Sequence, residues 1–309
     1  MKVPALFARF QPLLVASLFG VCLFPLPACA DRGSIPFDPQ VTIFEPTQRA
    51  MIAWNGKEEI LLLSTDLRAS KPTKVLEVIP LPNEPKVAKG DVEVFRKATA
   101  LINKKLEAEF PKMPPSRGSG NWNAIEPAGE ITFHQKIGAH NISVAHVRNP
   151  AGFVQWVNDY LRKSGVENPV IPPILKTSVE QYLQEKFTWF VFGVVELDEK
   201  PKTNEAIQYR FATDTFFYPL KISRTDSGST SVDLLVLSPK MMDSLPSGVE
   251  ARKIELRHKP VPITSAELKE LNPEMDDLLG HADSLLLRIW RIRGNLPEMD
   301  KDIVMRSRD

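Results

Sequence analysis

The sequence predicts an α+β fold in which a largely antiparallel β-sheet packs with a few short helices. Three observations carry that expectation. Strand-like segments come in clusters rather than alternating singly with helices, and clustering separates α+β from α/β patterning. Between residues 189 and 239, three segments rich in Val, Ile, Phe, Tyr and Trp follow one another at 189–196, 207–223 and 232–237. The breaks at 198–204 and 225–230 have turn chemistry, so this stretch is expected to be the centre of the sheet. Two other stretches, 91–110 and 149–165, change to a helical period, with apolar residues on one stripe.

The first thirty residues have the layout of a secretory signal. Lys2 and Arg9 make a basic start, residues 13–24 are an apolar run, and Ala28 and Ala30 supply a small-x-small cleavage pattern. A run of that length is too short for a bilayer, which takes about 20 residues. Cleavage between Ala30 and Asp31 is expected, giving a periplasmic or secreted chain with no transmembrane helix. A lipoprotein acylated at Cys29 is the alternative, because Leu26-Pro-Ala-Cys29 approximates a lipobox in which Pro27 fits poorly. Cys22 and Cys29 are the only cysteines, so cleavage leaves no disulfide or thiolate site. Loss of Lys2 and Arg9 takes the formal charge from +1 to −1, with both signs interspersed along the rest. Nucleic acid is therefore not an expected partner, since it would need a clustered basic patch.

In chain order, residues 33–46 read as an extended lead-in and 48–67 as a β-hairpin turning at Asn55-Gly56, a type I′ pair. A third strand at 75–81 is ended by Pro80, Pro82 and Pro85. The helix at 91–110 is capped by Asp91. Residues 111–129 hold four prolines and three glycines and are expected to divide a lobe at 31–110 from one at 130–294. Strands follow at 130–137 and 141–147. The next helix has Asn149 as cap, Pro150 at its first position, Phe153, Trp156, Val157, Tyr160 and Leu161 as its stripe, and Gly165 as its stop. Ser178-Val-Glu-Gln181 reads as a capping box opening a short helix. Beyond the central stretch come a strand at 249–257, one helix or two at 264–280 broken at Asn272-Pro273, a strand at 285–292, and a polar tail at 295–309 expected to fray.

Several of these segments together resemble a known family. They are Asn149-Pro-Ala-Gly-Phe-Val-Gln-Trp-Val-Asn-Asp-Tyr-Leu161, Tyr182-Leu, Phe187-Thr-Trp-Phe-Val-Phe192, Phe211 with Phe217-Tyr-Pro-Leu-Lys-Ile222, and Val232-Asp-Leu-Leu-Val-Leu-Ser-Pro239. The chain is similar through them to the exported bacterial family catalogued as domain of unknown function 2330, over residues 31–240. The sequence departs from that pattern after the signal, where Asp31-Arg-Gly-Ser34 stands in place of cysteines and glycines. The resemblance implies export and a continuous fold. It implies no role for any residue, because the family has no established activity.

Five groups of residues bear on chemistry. His134, His140 and His146 recur at intervals of six, and three imidazoles would suit zinc. The apolar pattern, however, changes parity at Gly138, which points His134 and His146 to opposite environments. Asp226-Ser-Gly-Ser229 matches the core of aspartic proteases, which need a second such carboxylate; Asp214-Thr215 is followed by Phe216, and a hairpin turn accounts for 225–230. Glu196, Asp198 and Glu199 read as a strand end rather than an acid/base pair. Trp189, Phe190, Phe192, Tyr209, Phe211, Phe216, Phe217 and Tyr218 are apolar at both parities, as in a strand covered on both faces, rather than an exposed carbohydrate or peptide platform. Arg288, Arg291 and Arg293 around Trp290 suit a charged edge strand. No catalytic, cofactor-binding or metal-ligating residue is assigned, and no cofactor is expected. The expected function is that of an uncharacterised exported bacterial protein, a non-catalytic envelope binding or structural module. Its partner would be an envelope protein, peptide or carbohydrate. The alternative is a periplasmic or secreted hydrolase, metal-dependent or not, without a recognisable motif.

Overall fold

The computed structural model describes residues 32–109, 136–137, 140–200, 202–203, 206–226, 228–239, 254–282 and 284–306. In chain order these form β1 (Gly33–Pro36), β2 (Ile43–Trp54), β3 (Glu58–Ala69), β4 (Thr73–Leu81), β5 (Lys86–Lys89) and α1 (Glu93–Glu109). There follow β6 (Lys136–Ile137), β7 (His140–His146), α2 (Pro150–Lys163), α3 (Pro173–Gln184), β8 (Trp189–Leu197), β9 (Lys202–Thr203), β10 (Ile207–Ala212) and β11 (Phe216–Tyr218). The chain closes with β12 (Ser229–Ser238), β13 (Ile254–Leu256), β14 (Val261–Ile263), α4 (Ser265–Leu271), α5 (Pro273–Leu278), β15 (Leu285–Asn295) and β16 (Ile303–Met305). The α+β fold class stands, with antiparallel pairing everywhere among the described strands except β12 on β2.

Strands that are apolar at both parities need cover on both faces, and two stacked sheets supply it. A nine-stranded sheet runs β13-β15-β12-β2-β3-β10-β5, with β14 also on β15 and β9 on β3; a five-stranded sheet runs β1-β4-β8-β7-β6. One parity of the large sheet, including Ile52, Trp54, Leu61, Leu63, Tyr209, Leu234 and Trp290, meets Ile79, Leu81 and Val191 of the smaller sheet in one buried cluster. The other parity, including Met51, Ile60, Leu62, Leu235 and Leu287, packs on α1, α4 and α5. The outer face of the small sheet, Leu76, Val78, Phe190 and Phe192, packs on Phe153, Val157 and Leu161 of α2 and on Leu175, Val179 and Tyr182 of α3. Helices, sheet, sheet and helices thus form four layers. β11 and β16 make a two-stranded sheet whose Phe216, Phe217, Tyr218, Ile303 and Met305 join the central cluster.

Local chemistry explains the ends of the elements. Asn149 caps α2 by accepting the Gly152 N–H at 2.7 Å, and Pro150 occupies its first position. Helices α2, α3 and α5 all close with the double hydrogen bond of a Schellman motif. In α2 it is Val166 N–H to Leu161 O and Gly165 N–H to Arg162 O; in α3 it is Phe187 N–H to Tyr182 O and Lys186 N–H to Leu183 O. The left-handed position is Gly165 (φ 95°) in α2 but Lys186 (φ 69°) in α3. β1 lies so close to α3 that a Cβ on Gly33 would come 2.7 Å from Leu175 Cδ1.

Several expectations need correcting. The hairpin forms, but positive φ falls on Gly56 alone (φ 94°), so its turn centres on Gly56-Lys57 with glycine first, and Asn55 instead accepts the Lys57 and Glu58 N–H groups. The 189–239 stretch is not one sheet: β8 belongs to the small sheet, β10 and β12 to the large one, and β11 to the third. Because apolar residues at both parities suit any doubly covered strand, pattern alone does not say which sheet a strand joins. Strands from the two expected lobes pair with each other, β2 with β12 and β4 with β8; residues 111–129 lie outside those described. Ser178 opens no helix, since it sits inside α3 with its hydroxyl on Ile174 O, and the helix starts at Pro173. The tail does not fray as far as Met305: Ile303 is fully buried and β16 pairs with β11.

Lys186 pays a steric penalty for its left-handed backbone that glycine would not. Replacing it by glycine is expected to raise stability by up to about 1 kcal/mol, seen as a higher urea midpoint at unchanged slope; an unchanged or lower midpoint would contradict the strained-cap account.

Candidate functional site

A cleft of about 800 Å³ opens where the Gly56-Lys57 turn, the segment after β4, the end of α3 and the β10–β11 loop converge. Its walls include Lys57, Asn83, Glu185, Phe187, Asp214 and Phe217, with Val304 contributed by β16. The loop is pinned by backbone and side-chain bonds. Thr213 donates its N–H to Lys57 O at 2.9 Å and its hydroxyl to Thr215 O at 2.7 Å, the Trp54 indole N–H reaches Thr213 O at 3.3 Å, and Asn83 Nδ2 donates to Ala212 O at 2.9 Å. Phe187 is delivered by the Schellman turn of α3 and packs on Phe217 with ring centroids 5.1 Å apart. The result is a preformed concavity with the half-buried Phe187 on its wall, Phe217 buried behind it and a polar rim.

Two buried polar arrangements stand behind it. Lys221, just after β11, holds the Glu185 carboxylate with both oxygens at 2.6 and 2.7 Å; its ammonium lies 4.0 Å over the Tyr182 ring and 4.0 Å from Asp302 Oδ2. Asp302 accepts the Tyr182 hydroxyl and the Lys221 N–H, both at 2.7 Å. Burial pushes its carboxyl up to about 6 against the opposing pull of Lys221 and these hydrogen bonds. Burial, with Asp302 beside it, also raises the Tyr182 phenol well above its usual value. On the other side, Glu59 of β3 is fully buried; its Oε2 accepts the Phe217 N–H at 2.8 Å while Oε1 has no partner. Burial raises the Glu59 carboxyl well above its usual range, against the opposing pull of the Phe217 N–H.

The residues singled out from sequence do not gather here. His146 is exposed and stacks on Trp189 at 4.5 Å, and His134 lies outside the described residues. Asp226 is not in a hairpin turn, because β12 pairs with β15 and β2, whereas β11, the strand immediately before it, pairs with β16. Its Oδ2 is enclosed without a partner, and burial, partly offset by a hydrogen bond from Ser34 and reinforced by the charge of Glu77, raises it well above the usual range. Glu77 in turn holds Arg32 at 2.7 Å, and both are buried. Asp226 thus belongs to a polar cluster with Ser34, Glu77 and Arg32. Glu196 and Glu199 are exposed strand-end groups, with Glu196 3.6 Å from Lys74. Phe190 and Phe192 are core beneath α2 and α3, and Tyr209, Phe211, Phe216, Phe217 and Tyr218 lie between the sheets, leaving Trp189 half-buried. The arginine group is not on an edge, since β13 and β14 cover β15; Arg291 forms a bidentate pair with Asp233 at 2.7 Å, and Arg293 meets Glu255 at 2.9 Å.

Sequence reasoning missed the cleft because its walls come from positions 57, 83, 185, 214 and 304, with no common motif. It also missed a cluster of Asp276, Asp277 and His281 at the end of α5, whose ligand atoms lie within 4.8 Å of one another. The four-residue spacing of Asp277 and His281, one helical turn, was the available signal.

Baculovirus P35 aligns with this chain at TM-score 0.41 and 9% identity, covering 89% of it and 100% of P35. A mutated baculovirus P35 after caspase cleavage aligns at TM-score 0.39 and 9% identity, covering 85% and 100%. No curated protein matches the chain. A family profile matches residues 26–284, most of the length, and includes the small sheet, α1 to α5 and the strands of the large sheet other than β15. The chain therefore belongs to the family described as an uncharacterized protein conserved in bacteria, DUF2330.

Proposed function

We propose that this is an exported bacterial binding module that holds a short segment of an envelope peptide or carbohydrate in the cleft beside Phe187 and Phe217. The observation that carries the reading is the cleft itself: a preformed concavity with Phe187 on its wall, rimmed by Lys57, Asn83, Glu185 and Asp214. Binding is favoured over hydrolysis by how its groups are engaged. Glu185 is tied to Lys221, the Thr213 hydroxyl is spent on Thr215 O, and no His or Ser lines the cleft among the described residues. Export is supported by the signal-like residues 1–30 and by a described fold that is held by apolar packing.

Exported proteins meet the pH of their surroundings, and the buried carboxyls set the response. Burial raises Asp302 to about 6 and raises Glu59 and Asp226 well above the carboxylate range. Their folded values exceed the unfolded ones of about 4, so the native state keeps protons that the unfolded chain releases. The stability they contribute is complete below the unfolded value and is lost as pH rises through the folded value. Asp38, Glu58, Glu267 and Asp276 are lowered and have the opposite sign, but their contribution is lost only as pH falls below about 4.

Three outcomes are expected. Mass spectrometry of the exported protein finds an unmodified N-terminus at Asp31, whereas a diacylated Cys29 refutes the soluble form. On peptide and glycan arrays, Phe187→Ala loses at least tenfold in binding relative to the wild type, a loss of about 1.4 kcal/mol; equal binding by the two removes the cleft from the account. The urea midpoint rises as pH is lowered from 7 to 5, and Glu59→Gln makes that slope shallower; a midpoint that falls over this range contradicts the upward shift of the buried carboxyls.

A further inference from the structure

We propose that Asp277 and His281, backed by Asp276, form a surface site for a divalent transition-metal ion of the zinc type. The inference stands apart from the cleft. Helix α5 ends in a Schellman motif in which His281 N–H bonds to Asp276 O and Gly280 N–H to Asp277 O, each at 3.2 Å. Gly280 (φ 69°) and His281 (φ 53°) both adopt left-handed backbone. That motif folds the residue after the glycine back over the third-last helical residue, where an apolar contact is usual. Here it lays an imidazole on a carboxylate instead.

The hydrogen bonds then assign the two ring nitrogens. The Asp276 side chain is fully buried; its Oδ1 accepts the Ser265 hydroxyl at 2.8 Å and its Oδ2 lies 2.7 Å from His281 Nδ1. With the Ser265 hydroxyl donating to Oδ1, the Asp276 carboxylate presents Oδ2 as an acceptor to the ring. Nδ1 is therefore the donor nitrogen, and the lone pair is on Nε2. A carboxylate behind a histidine in this way fixes tautomer and ring direction in metal sites. Nε2 lies 3.5 Å from Asp277 Oδ1. That is long for a hydrogen bond, but close to the roughly 3.4 Å between two ligands of a tetrahedral zinc with bonds of about 2.0–2.1 Å. His281 is 59% and Asp277 67% exposed, so the remaining positions face solvent and are open to water or to a donor from a partner. An imidazole in the set favours zinc, nickel or copper over calcium or magnesium.

Zinc chloride titrated calorimetrically into the purified protein tests this. Wild type is expected to take up zinc, with affinity falling at least tenfold in His281→Asn and in Asp277→Asn, and by about tenfold in Asp276→Asn. Asparagine tolerates left-handed backbone, so His281→Asn keeps the turn, and matching thermal unfolding curves verify that each variant is folded. In long-range proton–nitrogen spectra, zinc should shift His281 Nε2 and leave Nδ1 protonated. Absence of uptake by the wild type, uptake that persists undiminished in folded His281→Asn and Asp277→Asn, or a zinc-dependent shift at Nδ1 would each overturn the site.

Discussion

The apolar layer between the two sheets is the constraint on which everything else depends. Trp54, Leu61, Leu63, Tyr209 and Leu234 from one sheet and Ile79, Leu81 and Val191 from the other exclude water from a single surface, at roughly 25 cal/mol per Å² of apolar area buried. Both outer faces then have to be covered by helices, which is why α1, α4 and α5 sit on one side and α2 and α3 on the other. The cleft lies where this layer reaches the surface, and the third sheet closes the gap with Phe217 and Val304.

Polar groups enter this interior in small sets with partial satisfaction. Lys221 brings a cation to a place where Tyr182 and Asp302 are both buried, and its second partner, Glu185, reaches it from the cleft wall. Removing one member of such a set leaves the rest desolvated, a larger loss than the set's net contribution. Glu59 and Asp226 follow another solution, in which desolvation raises the carboxyl well above its usual range. These groups tie the third sheet and β1 to the main body through charge and hydrogen bonding as well as packing.

What could be read in advance was what depends on neighbours in sequence. Asn149, Pro150 and Gly165 delimit α2 where expected, Asn272-Pro273 separates α4 from α5, and β2 and β3 pair as a hairpin, though its turn sits one residue later than expected. What could not be read depends on which surface a segment meets. β8 and β10 both carry aromatic residues yet join different sheets, Ser178 has capping chemistry but lies in mid-helix, and the polar tail carries Ile303 into the core. The cleft belongs to the same class, because Lys57, Glu185 and Asp214 acquire a common surface only after the sheets have stacked.

The parallel pairing of β2 with β12 has a kinetic consequence. Gln48 sits opposite Val232, so the second edge of the first long strand has no partner until most of the chain has been made. Contacts at such sequence separation slow folding, and an open apolar edge invites pairing with other chains in the meantime. A nascent chain of this design spends its early life as an unsatisfied hairpin, and the large sheet closes only once β12 has been made.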